Sequence, residues 1–348
     1  MRLRRSTPGG PGYRRKRRGR GFTYLDPHGE TVRDPEVLGR IEGLVIPPAW
    51  RNVWICPFPN GHIQAIGTDA AGRRQYLYHE QWRAERDEEK YDRVLNLAGR
   101  LRDWRAELLT EMHGRGLDRR RVLAVAQHLI DCGYFRAGDE EYTQENGSYG
   151  LATLLREHVR LRPDCVRFDY PAKSGVRRTV SIEDPLVIRA VRALMRADTS
   201  IPRLLVYRSA DGWCEVRADD VRARFRELVG DEFSLKDLRT WHGTVLAAGE
   251  FATAPEPVSK TAVKRAQAAV MRAVAEELGN TPAVARASYV DPRVVLAYER
   301  GVTIAPALRQ AQRQRTRWAR QHTVERATAR MIARIERERS VSRRGSVA

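Results

Sequence analysis

Tyr134-Phe135-Arg136-Ala137-Gly138, followed after a short gap by Tyr142, Asn146, Ser148, Gly150, Leu151, Thr153 and Leu154, is the stretch on which the reading of this chain turns. Upstream, Val122, Leu123, Ala126, Leu129 and Ile130 recur at helical spacing, so an apolar helix face ends shortly before Arg136. Polar residues take over beyond it. A permanent cation is therefore predicted at the edge of a core. A surface or ion-paired arginine would satisfy the same position, and the choice depends on what other segments supply.

The 348 residues carry 63 Lys+Arg against 44 Asp+Glu, a formal charge of +19, with arginine dominating the basic set. Such a surface repels itself unless a polyanion is the partner, and the planar guanidinium suits phosphate, so nucleic acid is the leading partner. No long uncharged apolar run offers a membrane span, and no amphipathic lipid-binding stripe stands out. Cys56, Cys132, Cys165 and Cys214 are far apart, with no Cys-x-x-Cys pair and no histidine at zinc-ligand spacing. That usage fits a reducing cytoplasm rather than a disulfide framework or a zinc finger.

The length predicts about two domains. Residues 1–20 are rich in Arg and Gly, lack the apolar region of a secretory signal, and read as a disordered basic arm. Strand and turn signals from Phe22 and Tyr24 to Tyr78, with Asn60-Gly61 between strands, predict a small antiparallel β-rich domain over 21–88. Helical periodicity then predicts a larger, mainly α-helical domain over 89–308. Within it Asp184-Pro185, Ser234 with Asp237, and Ser259 read as helix starts, and Gly279 reads as a helix stop. Two β-hairpins interrupt the helices, one from Val166 to Val180 around Lys173-Ser174-Gly175, the other from Leu204 to Val216 turning at Asp211-Gly212. Residues 309–348 are basic and poor in large apolar side chains, and are expected to be a loose helix or partly disordered. The fold class is α+β.

Cleaving a phosphodiester without a metal needs a nucleophile, cations around the phosphate oxygens and an acid for the leaving alkoxide. Arg136, Lys173, Arg239 and Tyr289 have the side chains for those tasks, and no His/Asp/Glu cluster forms a convincing metal cage, so neither metal nor cofactor is expected. Lys173 sits at a predicted hairpin tip. Tyr289 lies about two turns past Thr281-Pro282, an N-cap and first-turn proline, and before Asp291-Pro292. Guanidinium groups near the phenol would favour phenolate character and neutralise the phosphate it attacks. Taken singly, each residue also has a plain reading: a paired arginine, a solvated tip lysine, a core tyrosine.

Together the segments resemble the type IB DNA topoisomerases of the compact poxvirus-like and bacterial kind, from about residue 20 to 305. Phe135-Arg136-Ala137-Gly138 with the Gly150-Leu151-x-Thr153-Leu154 pattern resembles the family's first-arginine motif, and Ala172-Lys173-Ser174-Gly175 its lysine hairpin. Lys236-Asp237-Leu238-Arg239-Thr240-Trp241 resembles its second-arginine helix, and Ser288-Tyr289-Val290-Asp291-Pro292 its nucleophile segment. The resemblance implies that Tyr289 forms a 3′-phosphotyrosyl link and expels a 5′-hydroxyl, that Arg136 and Arg239 stabilise the transition state, and that Lys173 acts as general acid. Where many relatives place a histidine against the scissile phosphate this chain has Asn280, which supplies a hydrogen bond without charge. His242 reads as a core histidine. Gln75, Tyr76 and Tyr78 resemble a DNA-contacting strand of the N-terminal domain.

The family further implies a monomeric clamp on duplex DNA, acting in the nucleoid. Two rivals remain. A tyrosine recombinase shares the fold and the Arg/Lys/Arg/Tyr set, but usually has a His-x-x-Arg box, whereas Lys236 stands three before Arg239 here. A non-catalytic basic DNA-binding protein would exploit the charge alone.

Overall fold

The computed structural model describes residues 2–141, 143 and 147–345, so Tyr142 and Asn146 lie outside the described residues. The chain divides into two units, Met1–Lys90 and Tyr91–Ala348.

The first unit is built on a five-stranded antiparallel sheet in the order β2-β1-β3-β4-β5. Its strands are β1 (Tyr13–Arg18), β2 (Gly21–Leu25), β3 (Arg51–Ile55), β4 (Ile63–Thr68) and β5 (Arg74–Tyr78). The basic residues 13–18 are thus not a disordered arm. Tyr13 packs on the cluster of Ile41, Ile46, Val53, Ile55 and Ala65. Arg15 donates to the carbonyls of Ile46 (3.1 Å) and Trp50 (2.8 Å), and its guanidinium lies 4.2 Å from the Phe22 ring centroid. Composition hid this strand because its alternating contacts are made by an arginine stem and by backbone pairing rather than by large apolar side chains.

On the opposite face, register places Arg14 beside Trp54, Trp54 beside Ile66, and Ile66 beside Tyr76. Tyr76 and Tyr78 are exposed and stacked on each other at 6.0 Å, while Gln75 faces the other way and donates to Asp69 Oδ2 at 2.9 Å.

The second unit is mainly helical around a core that includes Leu108, Leu129, Phe168, Phe225, Leu238 and Trp241. Local capping determines where several helices start. Asp184 accepts from Leu186 N, Ser234 and Asp237 form a reciprocal capping box, and Ser259 accepts from Ala262 N. A three-stranded sheet joins β6 (Val159–Leu161), β7 (Val166–Pro171) and β8 (Arg177–Ile182), and β9 (Val206–Ser209) pairs with β10 (Gly212–Glu215).

The C-terminal segment is not loose. Residues Arg317–Gly345 form a helix that buries Met331, Ile332 and Ile335. Glu325, also buried, pairs with Arg105 at 2.7 Å; Arg105 pairs with Asp131 at 2.7 Å, and Asp131 lies 2.9 Å from His242 Nε2. The anchoring positions are separated by arginines and glutamates, so average composition does not reveal them. His242 is a buried core histidine, as expected. Burial would raise the Asp131 carboxyl, but Arg105 and His242 outweigh that cost and hold it well below the usual carboxylate range.

Because that carboxyl is lowered in the fold, its contribution to stability is present above the unfolded value of about 4 and lost only in acid below it. Asp131→Ala removes the one partner that Arg105 and His242 share, leaving buried Arg105 with Glu325 alone, and is expected to destabilise the protein by about 3 kcal/mol at neutral pH. Urea unfolding of the variant beside the wild type measures this.

Candidate active site

Tyr134 ends the helix Arg119–Gly133 in the left-handed region, φ 53°, and so redirects the chain. Phe135 turns into the core against Phe168 and Tyr170, at ring distances of 5.0 and 5.9 Å, and Arg136 turns the other way. The backbone then crosses a second strand of chain closely. A Cβ on Gly138 would lie 2.6 Å from Gly150 Cα, and Leu151 N and Ala152 N donate to Arg136 O and Ala137 O, each at 2.8 Å. This crossing is what the Gly138 and Gly150-Leu151 pattern encodes, and it fixes the backbone that carries Arg136.

Arg136 donates through Nη2 to Gly279 O at 2.9 Å and to Asn280 Oδ1. Arg239, buried on the helix Leu235–Thr253, donates to Tyr134 O at 2.8 Å and to Leu278 O. A third guanidinium, Arg178 on β8, donates to Gly133 O at 2.9 Å and to Glu277 O at 3.0 Å. All three cations therefore hold carbonyls at the C-terminal ends of two helices, Arg119–Gly133 and Lys260–Leu278. Those ends carry partial negative charge, which orients the cations without neutralising them as a carboxylate would. None of the three pairs with a carboxylate among the described residues.

The electrostatic consequence is strain that an anion relieves. Burial, then the neighbouring Arg136 and Arg178 charges, pull Arg239 well below the usual arginine range, with Tyr289 opposing. Burial also lowers Arg136 and Arg178. A tetrahedral dianion should bind here and stabilise the fold by mass action. Sulfate is expected to raise the melting temperature of the wild type more than that of Arg239→Ala at matched ionic strength. The general salting effect acts on both proteins, so an equal rise in the two would contradict an anion site.

Tyr289 closes a π-helical turn, Ala285–Tyr289, that follows the short helix Pro282–Val284. Its ring centroid lies 5.4 Å from the Arg239 guanidinium carbon. Helix Leu235–Thr253 holds the tyrosine's backbone directly. A Cβ on Gly243 would sit 2.6 Å from Tyr289 O, Thr244 Oγ1 donates to that oxygen at 3.3 Å, and Asp291 N donates back to Thr244 Oγ1 at 3.1 Å. Asp291 in turn caps the next helix by accepting from Arg293 N.

Arg136, Lys173, Asn280 and Tyr289 line one cavity of about 560 Å³, together with Arg178. Lys173 reaches it from the exposed turn Lys173–Gly175 between β7 and β8. Arg239 stands against the tyrosine ring. Asn280 uses its oxygen to accept from Arg136, and its buried Nδ2 has no hydrogen-bond partner among the described residues. A guanidinium can only donate, so the amide must face it with oxygen and turn its NH2 elsewhere. The five residues read from the sequence therefore gather in space. Gln75, Tyr76 and Tyr78 belong to the other unit.

Sequence reading missed Arg178, Gly243 and Thr244. For Arg178 a signal existed: strand alternation puts it on the inward face with Val180 and Ile182, while Arg177 faces out and pairs with Asp169 at 2.7 Å. No local pattern marks Gly243, whose contact is forty-six positions away in sequence. Among the described residues there is no group of three or more His, Cys, Asp or Glu that could hold a metal ion, and no helix is long and apolar enough to cross a membrane.

Residues 79–316 match the family model described as the eukaryotic DNA topoisomerase I catalytic core, and residues 21–69 match that of the bacterial DNA topoisomerase IB N-terminal domain. The chain belongs to the type IB DNA topoisomerases. Among its relatives, the DNA topoisomerase 1B of Acanthamoeba polyphaga mimivirus is 30% identical over 278 residues, 77% of this chain and 81% of the viral protein. The DNA topoisomerase 1B of vaccinia virus (strain Copenhagen) is 24% identical over 230 residues, 65% of this chain and 69% of that protein.

Proposed function

We propose that this type IB topoisomerase relaxes supercoiled duplex DNA by transient cleavage of one strand, with Tyr289 as the nucleophile. Tyr289 Oη forms a bond to the backbone phosphorus as the P–O5′ bond breaks. Lys173 delivers a proton to the departing 5′ oxygen, and the phenol's own proton leaves to solvent. Arg136 and Arg239 meet the charge that builds on the non-bridging oxygens, and the unpartnered Asn280 amide adds a neutral hydrogen bond. The 3′-phosphotyrosyl link conserves the energy of the broken bond, so resealing by the 5′-hydroxyl requires no ATP. The supercoil relaxes by swivelling between the two steps.

The observation that carries this reading is the convergence of Tyr289, Lys173, Arg136 and Arg178 on one cavity, with Arg239 against the tyrosine ring and all three of these guanidinium groups held by carbonyls rather than by carboxylates. Plasmid relaxation tests it. Supercoils of both signs should relax without ATP or Mg²⁺, whereas strand exchange confined to a specific site would indicate a recombinase.

In this proposal the protein acts as a monomeric clamp on duplex DNA in the nucleoid, its β-rich domain reaching back from the expected 21–88 to include β1 and its catalytic domain reaching past the expected 89–308 to include the helix Arg317–Gly345. Of the three residues read from the sequence, Gln75 lies on one face of β5, bonded to Asp69, while Tyr76 and Tyr78, on the other face, would contact the DNA groove. Support for that face comes from the cross-strand row Arg14, Trp54, Ile66, Tyr76, and from the alternation that puts exposed Lys16 and Arg18 on the side of Arg14. Replacing Arg14, Lys16 and Arg18 by alanine is expected to flatten the plot of log binding constant against log salt by about 0.9 for each phosphate that these side chains neutralise. The cleavage rate at saturating DNA should not change. An unaltered salt slope would remove β1 from the interface.

A further inference from the structure

The Arg178 guanidinium is too elaborately held to be an incidental surface charge. Its Nη2 spans Gly133 O and Glu277 O, carbonyls in the last turns of the helices that lead into Arg136 and Asn280. Among the described residues its buried Nε has no hydrogen-bond partner and its Nη1 makes no hydrogen bond. Gly279, in the left-handed region at φ 60°, also leaves room for the group, since a Cβ there would lie 2.6 Å from Arg178 Nη1. The side chain lines the same cavity as Tyr289, Lys173 and Asn280. A half-buried cation with unused donors, in a cavity already crowded with like charge, raises the energy of the empty site. A bound anion lowers it again.

We propose that Arg178 is a third phosphate-binding arginine of the cleavage site, donating from Nη1 to a non-bridging oxygen of the scissile phosphate while Nη2 stays on the two helix ends. The inference rests on the strand-cleavage reading above. It extends that reading to a residue on the second strand of the lysine hairpin, so that the hairpin supplies both an acid at its tip and a cation five residues later. Because Nη2 remains engaged, the group needs no rearrangement when DNA arrives, which is the condition for strong electrostatic stabilisation.

The test uses the full-length protein and Arg178→Gln, which removes the charge but keeps an amide donor for Gly133 O. Arg178→Lys serves as a second variant, and melting temperatures establish that each folds. Single-turnover cleavage is measured at saturating enzyme on two duplexes. One has an ordinary scissile phosphate; the other has a methylphosphonate there, in which a neutral methyl replaces one charged oxygen.

On the ordinary duplex Arg178→Gln is expected to slow cleavage by on the order of 10- to 100-fold, with Arg178→Lys restoring only part of the loss. On the methylphosphonate the same substitution should cost far less, because the charge it answers is gone. Equal losses on both duplexes would assign Arg178 a purely structural role, and no loss on either would remove it from the site. Wild-type adduct in the same gel separates the two levels of claim. Its absence overturns the cleavage reading itself, whereas its presence with an unimpaired Arg178→Gln overturns only the role of Arg178.

Discussion

Tyr289→Phe is expected to abolish relaxation and covalent adduct formation completely while leaving DNA binding and folding nearly intact. The substitution removes one oxygen and keeps the ring that stands 5.4 Å from the Arg239 guanidinium. The backbone contacts that seat the residue, from Thr244 Oγ1 and the close approach of Gly243, involve Tyr289 O and Cβ and survive unchanged. Among the described residues, no second tyrosine lines the cavity with it. Adduct is read as protein that comigrates with labelled DNA through denaturing electrophoresis, and binding as a mobility shift at matched salt. Relaxation at the wild-type rate by Tyr289→Phe would displace this residue from the centre of the mechanism.

Arg239→Ala should lower the cleavage rate at saturating DNA by about 10²–10³-fold, with a much smaller change in the non-covalent dissociation constant. The separation follows from position. Arg239 is 8% exposed and lies beside the tyrosine ring, so it contributes little to the surface that duplex DNA first meets. Its cost is already met in the folded protein, where burial and two neighbouring guanidinium groups depress its pKa. It acts when charge develops on the phosphate. Arg239→Lys should recover little, since one ammonium cannot hold both Tyr134 O and Leu278 O and still face the phosphate. A parallel fall in binding and cleavage would make Arg239 an ordinary phosphate contact instead.

How much of this was legible in the sequence depends on the distance over which each feature is encoded. Helix starts at Asp184, Ser234, Ser259, Thr281 and Asp291 were readable because each cap is a side chain bonding backbone within three residues. The lysine hairpin was readable from its alternation and its Ser-Gly turn. The grouping of Arg136, Lys173, Arg239, Asn280 and Tyr289 came from resemblance rather than pattern, since the bond from Arg136 to Asn280 spans 144 positions. Arg178 was overlooked because it adjoins Arg177, and only the strand's two faces distinguish a cation aimed inward from one paired with Asp169.

The two ends of the chain misled for a common reason. In β1 Arg15 carries contacts through its stem and through carbonyls of a neighbouring loop. In the helix Arg317–Gly345 a buried glutamate and a few apolar residues anchor a segment whose average is polar. Composition measures that average; packing depends on which positions face inward.

The central claim is that one phenol becomes joined to one DNA end. The most direct measurement traps the adduct on a nicked or suicide duplex, digests it with trypsin and locates the attached nucleotide by mass spectrometry. The account predicts a nucleotide on the peptide from Ala287 to Arg293, bonded through Tyr289 to the 3′ end of the cut strand, with a 5′-hydroxyl on the released end. A nucleotide on another residue, or a link to the 5′ end, would contradict it.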